Sequence, residues 1–577
     1  MRPHSLPPKR WLVQPPAPPS LVQALGELSP IFLQLLYNRG LDSAGAVQSF
    51  LEGRYTASTD PFLLADMDKA VERIRQAITG DETIVVYGDF DADGVTATVL
   101  LVEALRGLGL SRQQARPYIP DRIDEGYGLN FDALTHIREE LGADLVITVD
   151  CGIRSVAEAE HARAIGLDLI ITDHHSLGEQ LPPALAVINP KRPDSEYPEK
   201  MLAGVGIAYK LAEALQQALP QQANYELSQL LDLVALGTVA DLAPLLGENR
   251  ILVIEGLKTL NQLGRPGLRA LAEQSGLRAG GMTAESIAFG LAPRINAAGR
   301  LAHAYDAARL LALTDMDLRQ RPDSAEKLAL RLNALNRERQ DHTRSLTARA
   351  ETLIDKDMPL IFAADSEFLP GVVGLVASRL AERYYRPTVV IEKGPAESRG
   401  SCRSIPEFHI TQALDEVADL LEHYGGHAQA AGLTVRNENL PALQTQLNQI
   451  AAEALTGLNL APRLEIDSEI ELSEVDFALV EMLSQLEPTG FSNPTPVFVS
   501  RNVAVLQSRV VGSDKAHLQL DLSDGWREMK AIAFRQSAWA HEMPARIDLV
   551  YSLSINEWRG RRDLQLMVHD LNASDGQ

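Results

Sequence analysis

The 577-residue chain contains only two cysteines, Cys151 and Cys402, and neither has a CxxC partner. That excludes a disulfide framework and a zinc-finger ligand set, and it fits a reducing compartment, so a cytoplasmic location is expected. No apolar run approaches the roughly 20 residues needed to cross a bilayer. Basic charge is also short: 54 Lys and Arg stand against 77 Asp and Glu, for a net charge of −23. A chain-wide nucleic-acid face is thereby excluded, though a local stripe is not, because polyanion binding follows the local field. No GxSxG elbow stands at a strand end, and neither cysteine has an activating neighbourhood, which argues against serine and thiol nucleophiles. The proline-rich start through Ser20 lacks the apolar core of a signal peptide and is expected to be a loose leader.

What is present is a set of strand and helix signals spread over several domains, as this length requires. Residues 83–87 form a β-branched run, residues 95–108 carry a helical apolar pattern, and residues 144–149 and 167–172 read as two more buried strands around a helix at 155–165. Alternation of this kind predicts a parallel sheet covered on both faces, with ligands beyond the carboxyl ends of the strands. Helical patterns dominate from about 226 to 354, including a long polar helix across 331–349. A smaller α/β unit comes next, from 359 to about 455. After Pro462 the pattern becomes short alternating strands (497–500, 503–511, 517–522, 529–534, 547–553 and 563–568), which suggests a small OB-like β-barrel.

Acidic and imidazole side chains collect where the three parallel strands end. The first runs into Gly88-Asp89-Phe90-Asp91-Ala92-Asp93-Gly94, the second into Asp150-Cys151-Gly152, and the third into Asp173-His174-His175. Singly, each has an ordinary reading: Asp93 as the cap of a helix from Val95, Asp173 as the cap of the next segment, His174-His175 as a surface pair. A calcium loop is excluded because its twelfth position is Leu100. Together at one sheet edge, five carboxylates and two imidazoles require a cation. Hard divalent metals suit them, with imidazole favouring Mn²⁺ or another transition ion over Ca²⁺. Such a site points to phosphoryl chemistry, in which two ions activate water and neutralise the phosphate. Between Arg294 and Arg349, eleven basic residues oppose seven acidic ones, forming either a polyanion stripe or a solvated helix face.

The segment Val86 to Gly94, with Asp150 and Asp173-His174-His175, closely resembles motifs I to III of the DHH phosphoesterases. Their motif IV is similar to Ala235-Leu236-Gly237-Thr238-Val239-Ala240-Asp241-Leu242-Ala243-Pro244. The resemblance implies that Asp91, Asp93, Asp150, His174 and Asp241 are metal ligands for Mn²⁺ or Mg²⁺. His175 would contact the scissile phosphate and assist the leaving group, and Asp173 would orient a histidine. Asp89 is left open as a ligand, a partner to one, or a base. Many relatives carry a histidine four residues before the first metal aspartate; Tyr87 stands there, which implies a second metal held loosely or recruited with substrate.

Further stretches resemble the RecJ-type branch of that family. They are residues 118–122 through 125–128, 291–300, 400–404 and 425–432. They imply that Arg122, Ser401 and Arg403 bind a 5′ phosphate, that Tyr127 stacks on a terminal base, and that Arg294, Asn296, Arg300 and His427 also touch substrate. His427 has a second reading as a buried structural histidine. Trp526, Trp558, Arg559, Arg561 and Arg562 are either a single-strand stacking surface on the barrel or, for the tryptophans, barrel core.

The implied organisation is an N-terminal leader with short helices (1–59), a parallel-sheet DHH domain (60–270), a helical connector (271–355), a smaller α/β DHHA1 domain (356–455) and an OB-fold domain (460–577). The implied activity is metal-dependent 5′ to 3′ hydrolysis of single-stranded DNA to 5′ mononucleotides in recombination and repair, by a monomer working with a single-strand-binding protein and a helicase. Two rivals stand beside it: a phosphodiesterase of short oligonucleotides or cyclic dinucleotides, and a non-catalytic replication factor. The barrel and the chain length count against the first, and the intact aspartates and histidines against the second.

Overall fold

The computed structural model describes residues 8–122, 124–126, 128–558 and 561–574. They fall into two compact units, one made of residues 55–458 and the other of residues 1–54 with 459–577.

The larger unit is built on a five-stranded sheet, all parallel, in the order Ala115–Tyr118, Ile84–Gly88, Leu145–Val149, Asp168–Thr172, Ala186–Ile188. Its central strands are continuous β-branched and aliphatic runs because both faces are covered. Ile84 and Val86 point to one core, shared with the helices Ala92–Gly107, Gly204–Ala218 and Leu227–Ala240. Val85 and Tyr87 point to the other, with Ala133, Leu134 and Ala159 from the helices Phe131–Glu139 and Val156–Ala164. The two outer strands were not expected. Ala115–Tyr118 contains Pro117 and sits at the edge, where a missing N–H is tolerated, and Ala186–Ile188 is only three residues long.

The chain then runs through a connector. The helix Ala292–Leu301 comes after an under-wound, π-type turn at Ser286–Leu291, and the 30-residue helix Ser324–Leu353 extends beyond the 331–349 expected from its polar pattern. A second, mixed five-stranded sheet is ordered Leu421–His427, Ala430–Arg436, Glu397–Arg403, Thr388–Lys393, Ile361–Asp365. The amphipathic helix Val373–Tyr384 buries Val376, Ala377 and Leu380 against Ile361, Ala363 and Val390 of that sheet.

The smaller unit contains a closed five-stranded barrel. Phe498–Val511, His517–Ser523, Glu528–Ala533, Arg561–Ala573 and Arg546–Trp558 pair in sequence around it, and Arg546–Trp558 returns to Phe498–Val511. Trp539 and Tyr551 are fully buried in it. Trp526 is 92% exposed and so is not barrel core; Arg562 is exposed too. Arg559 and the side chains of Trp558 and Arg561 lie outside the described residues.

The expected loose leader is corrected over its described part. Arg10–Val13 forms a strand parallel to Arg463–Ile466. Trp11 Nε1 donates to Asp570 Oδ2 at 2.8 Å, and its ring packs against Ile466, Val499 and Val550. Proline content misled here because prolines flank the pairing residues instead of interrupting them. Trp11→Ala is expected to destabilise this unit by about 1–3 kcal/mol, read as an earlier denaturant transition of the full chain by barrel tryptophan fluorescence.

Candidate metal centre and phosphate pocket

The acidic side chains come from the carboxyl ends of three adjacent strands and from one helix terminus. After Gly88 the chain turns through Asp89 and enters the helix Ala92–Gly107 three residues earlier than its apolar pattern suggests. Asp91 is the cap: its Oδ1 accepts from the N–H groups of Asp93 (3.0 Å) and Gly94 (3.2 Å). Asp93, expected as the cap, lies inside the first turn. Its two oxygens accept from Gly204 N (2.7 Å) and Val205 N (2.9 Å), at the start of the helix Gly204–Ala218. One carboxylate thus satisfies two orphan donors of a second helix and sits at its positive end.

Asp150 comes directly after Leu145–Val149 with a φ of +62°, a backbone region that costs about 1 kcal/mol or more for a residue with a Cβ. It is pressed against Gly204, where an added Cβ would lie 2.6 Å from Asp150 Cβ; glycine is needed there for the close approach. Asp241 caps the carboxyl end of Leu227–Ala240 and brings a carboxylate to the same place.

These groups meet. Asp150 Oδ1 is 3.1 Å and Asp241 Oδ2 3.8 Å from His174 Nε2. Ligand atoms of Asp93, His174 and Asp241 lie within 4.8 Å of one another, as do those of Asp89, Asp91 and Asp150, and those of Asp150, His174 and His175. Asp89 Oδ1, Asp150 Oδ1 and His174 Nε2 are buried and make no well-aligned hydrogen bond among the described residues, the last two facing each other at 3.1 Å. Buried orphans of both kinds, oxygen and imidazole nitrogen, fit a divalent cation and little else.

The electrostatics agree. Burial, then the charge of Asp91, raises the Asp93 carboxyl to about 7, and burial, then Asp93 and Asp91, raises Asp241 to about 9. Asp89 and Asp150 are raised well above the usual range by burial and by neighbouring aspartates. His174 is lowered to about 3 by burial and by His175, so its imidazole is neutral and can ligate. His175 differs. Burial pulls it down, but its Nδ1 contact with Asp173 Oδ1 at 2.7 Å outweighs that and leaves the ring above its ordinary value. Asp173 is fixed in turn by the N–H groups of His175 (3.0 Å) and Ile153 (2.9 Å).

Beside the acids stands a pocket of arginines. The Arg122 guanidinium lies 4.5 Å over the Phe90 ring and within the field of Asp89 and Asp91. Arg300 donates to Gly371 O at 3.2 Å. Burial, then the charges of Arg122 and Arg339, with Arg403 contributing, lower it to about 10. Arg403 Nη1 donates to Ser401 Oγ at 3.0 Å. A Cβ on Gly374 would lie 3.1 Å from both Ser401 Oγ and Arg403 Nη2, so the first turn of Val373–Tyr384 opens directly onto them. Converging guanidinium groups and a helix N-terminus are an anion receptor.

Comparison with known proteins agrees with this arrangement. The profile of the DHH family, N-terminal domain, matches residues 83–238, the DHHA1 domain matches 357–453 and the RecJ OB domain matches 466–570. The chain is 39% identical over 580 residues to the single-stranded-DNA-specific exonuclease RecJ of Bacillus subtilis strain 168, covering 98% of this chain and 71% of that protein. It is 35% identical to the RecJ of Escherichia coli K12 over 94% of this chain and 96% of that one. The chain belongs to the RecJ family. A crystal structure of RecJ in complex with Mn²⁺ from Thermus thermophilus superposes with a TM-score of 0.83 at 31% identity, over 98% of this chain and 80% of that one. The same RecJ has also been solved with Mg²⁺, with a TM-score of 0.78.

Within this RecJ-family chain, Asp89, Asp91, Asp93, Asp150, Asp173, His174, His175 and Asp241 form one cluster, and Arg122, Arg300, Ser401 and Arg403 form the pocket beside it. Other expected substrate residues are placed differently. Asn296 Oδ1 accepts from Ala92 N at 2.7 Å and fastens the connector to the helix start. Arg294 donates to Asn333 Oδ1 (3.0 Å) and Gly290 O (2.5 Å). His427 is exposed, which removes its buried reading, and it shares a sheet row with Arg403 across Ala430. Tyr127 lies outside the described residues. Tyr87 donates to Gly128 O at 2.8 Å, anchoring the loop after Arg122. Sequence reading missed Lys191, whose Nζ donates to His174 O at 2.5 Å; its position just past Ala186–Ile188, at the same sheet edge, was the available signal. Much of the basic stripe is neutralised locally: Arg331 pairs with Asp306, Lys327 with Asp323, Arg344 with Asp341, and Arg349 with Asp365 and Glu367.

In the metal-free protein, Asp93 and Asp241 hold protons up to about 7 and about 9, against 3.8 for an ordinary aspartate. The native state therefore binds more protons than the unfolded chain across that window, and its stability falls as pH rises through it. In chelator the melting temperature is expected to drop from pH 6 to pH 9. Added Mn²⁺ should restore it most at the alkaline end, with proton release visible by calorimetry in buffers of different ionisation enthalpy at pH 7. A flat profile in chelator contradicts this assignment.

Proposed function

We propose that the chain is a metal-dependent exonuclease that hydrolyses single-stranded DNA from its 5′ end to 5′ mononucleotides, in DNA recombination and repair. The observation that carries this reading is the set of buried ligand atoms without well-aligned hydrogen bonds on Asp89, Asp150 and His174 beside an arginine pocket. Asp91, Asp93, Asp150, His174 and Asp241 would hold Mn²⁺ or Mg²⁺, with Asp89 joined to the group formed by Asp91 and Asp150. When bound, such ions supply positive charge to the phosphate and make a nearby water more acidic.

The rest of the chemistry belongs to side chains. Arg122, Arg300, Arg403 and Ser401 receive the 5′-terminal phosphate, and the open first turn at Gly374 adds backbone donors. That anchoring sets the next phosphate at the acidic cluster. Asp173 occupies Nδ1 of His175, so proton delivery to the departing 3′ oxygen falls to Nε2, and the raised pKa of this ring keeps a proton available. Lys191 and Asn189 hold the backbone of His174 and His175 by donating to their carbonyls. The exposed Trp526 offers a base-stacking surface on the barrel. A helicase to supply single strands and a single-strand-binding protein are the partners such a substrate calls for, and the cytoplasm is the compartment.

A 5′-phosphorylated, end-labelled strand should lose mononucleotides from that end with Mn²⁺ or Mg²⁺ and remain intact in excess chelator. Asp150→Ala should remove turnover. His175→Ala should lower kcat by about 10²–10⁴-fold with metal binding kept, and Asp173→Asn by about 10–100-fold. Arg403→Ala should raise KM for a 5′-phosphorylated strand and leave a 5′-hydroxyl strand nearly unchanged. Full digestion in chelator, or release from the 3′ end first, overturns the reading.

A further inference from the structure

At the opposite end of the helix Ala92–Gly107 from its aspartates lies a cavity of about 640 Å³. That falls inside the range of about 300–1,000 Å³ usual for small-ligand sites. Its charge is one-sided. Arg106, Arg112, Arg116, Arg309 and Arg321 line it, with Asp317 as the one acidic lining residue, in a chain whose net charge is −23. Asp317 is held by Arg112 at 2.9 Å and Arg309 stands 3.9 Å from Asp306 outside the lining, so positive charge on the lining remains in excess. Arg106 Nη2 donates to Ala115 O at 2.9 Å, but its Nε is buried with no acceptor among the described residues. Ser324 Oγ, in the same wall, is likewise buried and without a partner. Several guanidinium groups around one cavity favour an oxyanion.

The remaining wall is not polar. Val99, Val102, Leu313 and Leu328 supply aliphatic surface, and the half-exposed ring of Tyr305 stands among them. A bare inorganic anion would leave that surface wet, whereas a ligand with a charged end and a flat apolar end covers both. We propose that this cavity binds a free nucleoside 5′-monophosphate, with its phosphate on Arg106, Arg309 and Arg321 and its base against Tyr305 and the aliphatic wall. The site is separate from the acidic cluster, and its assignment goes beyond the nuclease reading. Two of its walls nonetheless reach that cluster's surroundings. The helix Ala92–Gly107 carries Asp93 in its first turn, and the helix Ser324–Leu353 begins at Ser324 and carries Arg339 to the field of Arg300.

The test is calorimetric titration of the full chain, in chelator, with dAMP, deoxyadenosine and inorganic phosphate in turn. The expected result is saturable dAMP binding at least tenfold tighter than either fragment. It should be weakened tenfold or more by Arg309→Glu with Arg321→Glu and should persist in Arg403→Ala, which removes only what the 5′-phosphate pocket itself binds. Both reversed arginines are on the surface; if the double variant unfolds, photo-crosslinking of 8-azido-dAMP to the wild-type chain replaces it, with adducts expected on the Tyr305 peptide. The proposal is overturned by any of four results: no dAMP binding up to millimolar concentration, phosphate binding as tightly as dAMP, loss of binding in Arg403→Ala alone, or adducts confined to the acidic cluster.

Discussion

The organising constraint is the burial of several carboxylates at one sheet edge. Asp89, Asp93 and Asp150 are almost wholly shielded from water, and at such depth each unneutralised charge is several kcal/mol unfavourable. A fold keeps that arrangement only if something compensates it. Part of the compensation is internal: Asp91 and Asp93 accept four backbone N–H groups between them, two at each of two helix starts. The rest must come from outside the chain, because Asp89 Oδ1 and Asp150 Oδ1 accept no hydrogen bond within the described residues and the imidazole 3.1 Å from Asp150 is neutral. The metal requirement is thus a consequence of how the helices are capped.

Close packing enforces the cluster. A Cβ on Gly94 would lie 2.6 Å from the Asp89 backbone, and one on Gly204 would strike Asp150. Both glycines are at helix starts, where the backbone must come within van der Waals contact of a strand end. The sheet sets the spacing of the three strand ends, the two helix starts set the rotation of the aspartates, and the carboxyl end of a third helix delivers Asp241. His174 and His175, adjacent in sequence, are driven to different jobs by their surroundings. Burial beside a second imidazole keeps His174 neutral, whereas Asp173 holds the His175 ring above its ordinary pKa.

Much of this was legible in the sequence, and the illegible parts have physical reasons. Strands buried on both faces announce themselves as unbroken aliphatic runs, so the three central strands and the acidic residues after them could be read directly. Ala115–Tyr118 carries Arg116 and Pro117 and has no such run; only its parallel pairing with Ile84–Gly88 makes it a strand. The early start of Ala92–Gly107 was hidden because its first turn is Ala-Asp-Gly, poor in helix formers, and is held by the Asp91 cap and by Asn296 from 204 residues away. The same long-range bond gives Asn296 a structural task at the edge of the acidic cluster that its position in a motif could not reveal. Arg10–Val13 was missed because its partner, Arg463–Ile466, lies over 400 residues downstream.

The net charge of −23 bears on how such a protein meets a polyanion. At physiological salt, charges are screened beyond about 8 Å, so a distant phosphate backbone feels little of the arginine pocket and little of the acidic remainder. Attraction begins only when a phosphate comes within contact range of Arg122, Arg300 and Arg403. Long basic surfaces bind duplex and single strand alike along their length; a short-range pocket beside buried acids instead favours whatever can insert a phosphate into it. The pairing of Arg331, Lys327, Arg344 and Arg349 with nearby acids points the same way. It quiets part of the outer helix, while Arg122, Arg339 and Arg403 remain close enough to Arg300 to lower its pKa. How such a pocket meets a phosphate is then set by where the arginines are left uncompensated, not by how many the chain contains.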